Sequence, residues 1–421
     1  MNKKQFDLIL KGGHVIDPKN DVSKVMDVAV ADGRVAALAV DMPASKAKEV
    51  VDVSGYYVTP GLIDIHVHVY PECCTYGVVA DAHSFCSGVT TMVDAGTSGA
   101  ANFGDFKERW IDRSKTRILT LLNIVDTGMI DFEREQDVSR MNPEITAGFA
   151  AAYPETIVGI KLAHFWTWQP WDATHKPWDN VRRAVKAGEL CQKPVMADFW
   201  PRDPERSYAD LILRELRPGD IHTHVFAQQF PIIDEQGKLN PIMREARARG
   251  VIFDLGHGMG SFWYRNAARA KEQGFLPDSF GTDLHNKNIS NGLVIDTLNV
   301  MSKFLAMGVS LEEVIRRTTA NPARQIGHME LGNLDVGAEA DIAVLDLREG
   351  EFGFIDCGRG KILGDKKLEC MMTLRRGEIV FDPNGVTMPE WQAAPEDYWV
   401  CQPPTGAPGS SRLLDPDKFA L

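Results

Sequence analysis

The stretch Pro60-Gly61-Leu62-Ile63-Asp64-Ile65-His66-Val67-His68 decides how this chain is read. Leu62 to Val69 predicts a strand: β-branched residues dominate, Pro60-Gly61 breaks the chain before it and Pro71 breaks it after. Side chains alternate between faces along a strand, so His66 and His68 point the same way. The flanking Leu62, Ile63, Ile65, Val67 and Val69 are apolar on both faces, the pattern of a strand buried on both sides in a parallel sheet. A half-exposed edge strand would not need such flanks. Neutral imidazoles in that setting require a partner, and a metal ion chelated by both is the most economical one.

Working outward, strand candidates recur at Val89–Val93, Arg117–Ile124, Ile157–Leu162, Pro194–Asp198, Asp220–His224, Val251–Leu255 and Ser279–Asp283. Amphipathic helical stretches separate several of them, among them Phe103–Ser114, Trp178–Cys191, Tyr208–Leu216, Ile242–Arg249 and Trp263–Gln273. Eight βα units predict an α/β fold, a TIM barrel over residues 60–330. Short strands with tight turns occupy residues 4–58, with hairpin signals at Lys11-Gly-Gly and Asp32-Gly33. Strands return at Ala340–Leu347, Leu368–Leu374 and Ile379–Phe381. A small β unit cannot bury enough alone, so segments 1–59 and 331–385 are expected to form one composite β-sandwich. Residues 386–421 predict an irregular tail, Pro- and Gly-rich at Gln402–Ser411, with Trp391, Tyr398 and Trp399 as anchors on this or a neighbouring subunit of a homo-oligomer.

The chain has 421 residues, enough for a barrel and a smaller domain, and 44% hydrophobic with 25% charged content suits a soluble globular enzyme. A net charge of -12 leaves no basic stripe for phosphates and argues against nucleic acid. No apolar run is long enough to span a bilayer, and no signal core opens the chain. The 7 cysteines include no CxxC pair, so a reduced, cytoplasmic protein with a small-molecule substrate is expected.

Functional groups of a TIM barrel gather where its strands end. Strand one offers His66 and His68, strand four Lys161, strand five Asp198, strand six His222 and His224, and strand eight Asp283; His257 follows strand seven. Lys161 lies between Ile160 and Leu162 on a buried strand, where a lysine must meet an anion or deprotonate. A neutral amine can add carbon dioxide and become a carbamate able to bridge two cations; binding a substrate carboxylate is the alternative. His224, nearer the strand end, is the expected ligand, and His222 is expected one layer deeper or behind a ligand. Asp283 either caps the following segment or ligates a metal and takes a proton from its water. Asp198 can ligate zinc, manganese or iron. His257 in its glycine-rich loop, His164, His285 and Asn102 are candidate substrate contacts, with loop support or helix capping as the structural alternatives for His257 and Asn102.

Pro60-Gly-hydrophobic-hydrophobic-Asp64-x-His66-x-His68 resembles the first-strand metal motif of the amidohydrolase superfamily, and the resemblance covers nearly the whole chain. It implies a metal-dependent hydrolase with two divalent ions, zinc first and manganese or iron as substitutes, bridged by a shared hydroxide and a carboxylated Lys161. His66, His68 and Asp283 would hold one ion, and His224 and Asp198 the other. The superfamily usually ends strand five in histidine, so Asp198 departs from the pattern; the second ion then has a harder ligand set, a weakened site, or help from His222 or His164. Ser87–Phe103 and Asp254–Phe262 resemble a dihydroorotase-like or D-aminoacylase-like subgroup that implies deacetylation of small acylated carboxylates. A dihydroorotase would carry arginine two residues past His68, where this chain has Tyr70. The expected reaction is therefore hydrolysis of an amide or ester in a small acylated carboxylate. A cyclic amide hydrolase of the dihydroorotase or hydantoinase type is the alternative, and a catalytically silent relative serving in assembly is a third reading.

Overall fold

The computed structural model describes residues 4–394; Tyr398, Trp399 and the Pro- and Gly-rich run Gln402–Ser411 lie outside the described residues. Strands β1 (Phe6–Asp17), β2 (Val22–Ala31), β3 (Arg34–Ala39), β4 (Ala47–Asp52) and β5 (Tyr57–Pro60) come first. Seven short strands follow: β6 (Leu62–Val67), β7 (Val89–Gly99), β8 (Arg117–Asn123), β9 (Ile157–Lys161), β10 (Val195–Ala197), β11 (Ile221–His222) and β12 (Ile252–Phe253). β13 (Ile342–Ile355), β14 (Lys361–Arg375) and β15 (Glu378–Phe381) complete the described chain.

β6 to β12 pair in parallel, each with the next. The eighth barrel strand forms two parallel bridges rather than a continuous ladder: Ser279 meets Asp254, and Leu284 meets Val67. Backbone bonds Leu255 N to Ser279 O at 3.1 Å, Asp283 N to His66 O at 2.7 Å and His68 N to Leu284 O at 3.0 Å join the first and last barrel strands through residues 279–284. This closes the TIM barrel. Ile63, Ile65, Leu119, Leu121, Val158 and Met196 fill its lower interior, plugged from below by Ala323 and Ile326 at the helix Ala320–Gln325. With the lower layers apolar, polar side chains are left to the C-terminal mouth.

The two ends of the chain share one hydrogen-bonded mixed sheet in the order β15-β14-β13-β5-β1-β2-β3, with β4 beside β1. β1 forks it: Phe6–Lys11 pairs with β4, and His14–Val15 with β5. Lys11-Gly12-Gly13 is therefore a bulge within β1, with Gly12 at φ 77°, and not the hairpin turn its glycines predict. The strand continues because Leu8, Leu10 and Val15 all join the core under this sheet. Asp32-Gly33 does form the expected two-residue turn, with φ 51° and 72°. The six described cysteines are all free. Among the described residues no helix is long and apolar enough to cross a membrane.

Candidate metal centre

β6 is buried along its whole length, which delivers His66 (0% exposed) and His68 (4%) to the barrel mouth. Two other donors arrive after their strands have ended, on left-handed backbone: His224 at φ 60° and Asp283 at φ 52°. Such angles are uncommon outside glycine and mark positions held by their surroundings. Gly96 (φ 82°) makes room for Lys161, since a Cβ there would stand 2.5 Å from Lys161 Cγ. Gly258 does the same for Asp283, whose Oδ2 would lie 2.4 Å from an added Cβ.

The donors converge. One nitrogen each of His66 and His224 and one oxygen of Asp283 lie within 4.8 Å of one another. Asp283 Oδ1 is 3.0 Å from His68 Nε2 and 3.7 Å from His66 Nε2. Lys161, 2% exposed, places Nζ 3.3 Å from His66 Nε2 and 3.9 Å from Asp198 Oδ2. His224 Nε2 stands 3.2 Å from the same Asp198 oxygen. His66, His68, Lys161, Asp198, His224 and Asp283 thus meet at one mouth. His66 and His68 both turn Nε2 toward Asp283 Oδ1, with ring centroids 5.8 Å apart.

Each of the three histidines has its outer nitrogen occupied. His224 Nδ1 donates to Gly256 O at 2.6 Å, His68 Nδ1 meets Thr97 Oγ1 at 2.9 Å, and His66 Nδ1 meets Thr223 Oγ1 at 2.9 Å and Asp254 Oδ2 at 3.3 Å. Holding Nδ1 this way turns the Nε2 lone pair inward, as ligating imidazoles require. Burial, helped by the nearby Lys161 charge, pushes His66 down to about 4 and keeps it neutral. Burial opposes charge on His224 as well, but the adjacent Asp198 carboxylate outweighs it and raises His224 to about 9. Burial would raise Asp283, yet its contact with His68 and the neighbouring His66 and His285 imidazoles hold it below the carboxylate range. Asp198 is held low in the same way by His164, His224 and Lys161. Ionised carboxylates among inward-facing imidazoles fit a divalent cation. So does Asp198 Oδ1, buried without a hydrogen-bond partner.

A cavity of about 230 Å³ opens over these groups, lined by His68, His164, Asp198, His224, Asp283 and His285 on its floor and by Tyr76, Phe165, Trp200, Gln228, Gln229 and Met259 toward its rim. None of the described residues that line it is lysine or arginine. A larger cleft of about 770 Å³, lined by Arg117, Glu339 and Arg376, contains none of these donors.

Of the four candidate substrate contacts, His164 and His285 line the cavity and two do not. His257 is fully buried, with Nε2 2.8 Å from Lys303 Nζ, so it supports its loop. Asn102 accepts from Gly99 N at 2.9 Å and donates to Thr127 O at 3.0 Å; it braces a turn and makes no side-chain cap. His222 does not share a face with His224. Its ring packs against Tyr208 and Phe230 at 5.2 and 4.7 Å, in the layer between barrel and helices. Sequence reasoning missed Asp254, which accepts from Thr223 Oγ1, Ser279 Oγ and Gly281 N at 2.8, 2.8 and 2.9 Å while facing His66. Its only signal was an acidic residue at the end of an apolar strand.

The amidohydrolase family model matches residues 263–383. A deacetylase of Brucella anthropi is 33% identical over 331 residues, 77% of this chain and 80% of that protein. A deacetylase of Enterococcus faecalis is 28% identical over 377 residues, 89% of this chain and 99% of its own. Among solved structures, an adenine deaminase superposes with a TM-score of 0.81 at 26% identity, covering 90% of this chain and 100% of that one. A dihydroorotase does so with a TM-score of 0.78 at 27% identity, covering 89% and 99%. The chain belongs to the amidohydrolase family, whose members are generally metal-dependent. It is a hydrolase acting on non-peptide C–N bonds.

Proposed function

We propose that this enzyme is an acyclic deacylase that hydrolyses the amide or ester bond of a small acylated carboxylate. The observation that carries this is the meeting of His66, His224 and Asp283 beside Lys161 under an open cavity. In this reading His66, His68 and Asp283 would hold one divalent ion, His224 and Asp198 would hold another, and Lys161, as a carbamate, would supply a further anionic ligand. Zinc suits the imidazoles; manganese or iron suits the carboxylates. Bound there, the ions supply Lewis acidity that acidifies a water and polarises the scissile carbonyl. Asp283, ionised and facing the cavity, takes the proton of the attacking water and returns it to the leaving group. Tyr76, Gln228, Gln229 and His285 offer neutral hydrogen-bonding groups to the rest of the substrate, a carboxylate included.

Tyr70 favours this reading over a cyclic amide hydrolase. It stacks on Phe106 at 4.7 Å and donates to Asp105 at 2.5 Å, outside the cavity, so that position presents no cation to a cyclic acid. The relatives from Enterococcus faecalis and Brucella anthropi are both named deacetylases. The test is a hydrolysis screen of N-acyl and O-acyl compounds, with and without a carboxylate, beside dihydroorotate and hydantoins. Turnover confined to the cyclic compounds would reverse the choice. A homo-oligomer in a reducing cytoplasm completes the proposal, to be checked by sedimentation and by fractionation of the source cells.

Two further outcomes are expected. Asp254→Asn should weaken metal binding about 10–100-fold in chelator competition, because the amide cannot accept from His66 and every other partner of this oxygen pair at once. Unchanged affinity would reduce Asp254 to a packing role. Asp198→Ala should lose about one metal equivalent and most activity, while Asp198→His should keep both ions and shift preference toward zinc, imidazole being the softer donor. An Asp198→Ala protein with its full metal complement and only a raised KM would remove Asp198 from the ligands.

A further inference from the structure

We infer that His164 replaces, from the loop after β9, the imidazole that Asp198 displaces from the end of β10, so that Asp198 and His164 act as one composite ligand beside His224. The inference rests on the two-ion reading above and adds a residue to it.

The Asp198 carboxylate is gripped from two sides. His224 Nε2 stands 3.2 Å from Oδ2, and His164 Nδ1 stands 2.5 Å from Oδ1. The second contact is close but out of alignment for a hydrogen bond, so these two buried atoms meet only each other and neither is hydrogen-bonded. Asp198 itself is 6% exposed. A buried carboxylate oxygen and a buried imidazole nitrogen, side by side and both unsatisfied, are a costly arrangement unless something binds them. A divalent ion that shares them removes the cost for both.

The loop is built to present His164. Its backbone N and that of Phe165 both donate to Glu135 Oε2 at 3.1 Å, and Glu135 is 1% exposed. The His164 ring stands edge-on to Phe165 at 4.2 Å and lines the cavity. Its side chain is 23% exposed, and its ring centroid lies 6.3 Å from that of His224. The other spare histidine of this region, His222, faces the helical layer. His164 lies three residues past Lys161, so a single loop would supply both the bridge and the substitute imidazole.

The experiment compares metal content and zinc affinity of full-length wild type, His164→Ala, Asp198→His and the double variant, each reconstituted with zinc alone, by elemental analysis and competition with a chromogenic chelator. X-ray absorption counts imidazoles per zinc. His164→Ala is expected to drop from two equivalents toward one, or to hold the weaker ion at least about tenfold less tightly, with fewer imidazoles per zinc. Adding Asp198→His to His164→Ala should restore both ions, which a mere folding defect of the single variant would not allow. Two equivalents in His164→Ala, at wild-type affinity and imidazole count, would overturn the assignment while leaving the two-ion reading intact. Fewer than two ions in wild type would overturn both.

Discussion

Lys161→Ala is expected to abolish hydrolysis and to lower metal content together. Lys161 is 2% exposed at the end of β9, and Gly96 leaves the space its side chain needs. Its nearest carboxylate, Asp198, is 3.9 Å away, while His66 Nε2 is 3.3 Å away. A positive charge beside any cation bound there is unfavourable, whereas an amine that adds carbon dioxide becomes an anion. The carbamate would carry the negative charge that two cations need between them. Alanine removes that charge, so binding and turnover should fall in step, by elemental analysis and by any substrate found in the screen. Short carboxylic acids should restore part of both by occupying the emptied space. Full activity in Lys161→Ala would sink the carbamate model. A raised KM with full metal content would instead make Lys161 a substrate contact.

Asp283→Asn should separate binding from chemistry. The amide preserves shape and one ligating oxygen, so much of the metal should remain. It cannot accept the proton of the attacking water, and losing a general base costs about 10²–10⁴-fold in rate. The side chain is well placed for the role: its Oδ1 lies 3.0 Å from His68 Nε2, and it faces the cavity with His285 beside it. A fall of only a few-fold in kcat would assign the base elsewhere. Gly258 guards this geometry, since any side chain there would meet Asp283 Oδ2.

Much of this centre is legible in the chain because its donors belong to short apolar strands. In β6, apolar residues on both faces announce a buried parallel strand, and the two histidines at its end have few other uses. Lys161 and Asp198 follow from the same reasoning, a polar residue closing an apolar run, and His224 and Asp283 from their places at the ends of strands six and eight. The barrel class follows from eight such runs with helices between several of them, and the turn at Asp32-Gly33 from backbone angles that suit few other residues.

Tertiary structure alone decided the rest, and the reason is that strand periodicity stops being informative where the strand stops. β11 ends at His222, and His224 takes a left-handed turn, so the two rings diverge although period-two counting puts them together. Lys11-Gly12-Gly13 has the local chemistry of a turn, but the core beneath the terminal sheet keeps β1 running through it. His257 turns inward because Lys303, 46 residues away in sequence, meets its ring nitrogen. Asp254 reaches His66 across 188 residues. Contacts of that separation depend on how the barrel closes, and no local pattern of residues encodes them. Sequence alone determined which residue types arrive at the barrel mouth; only the closed barrel decided which of them face one another there.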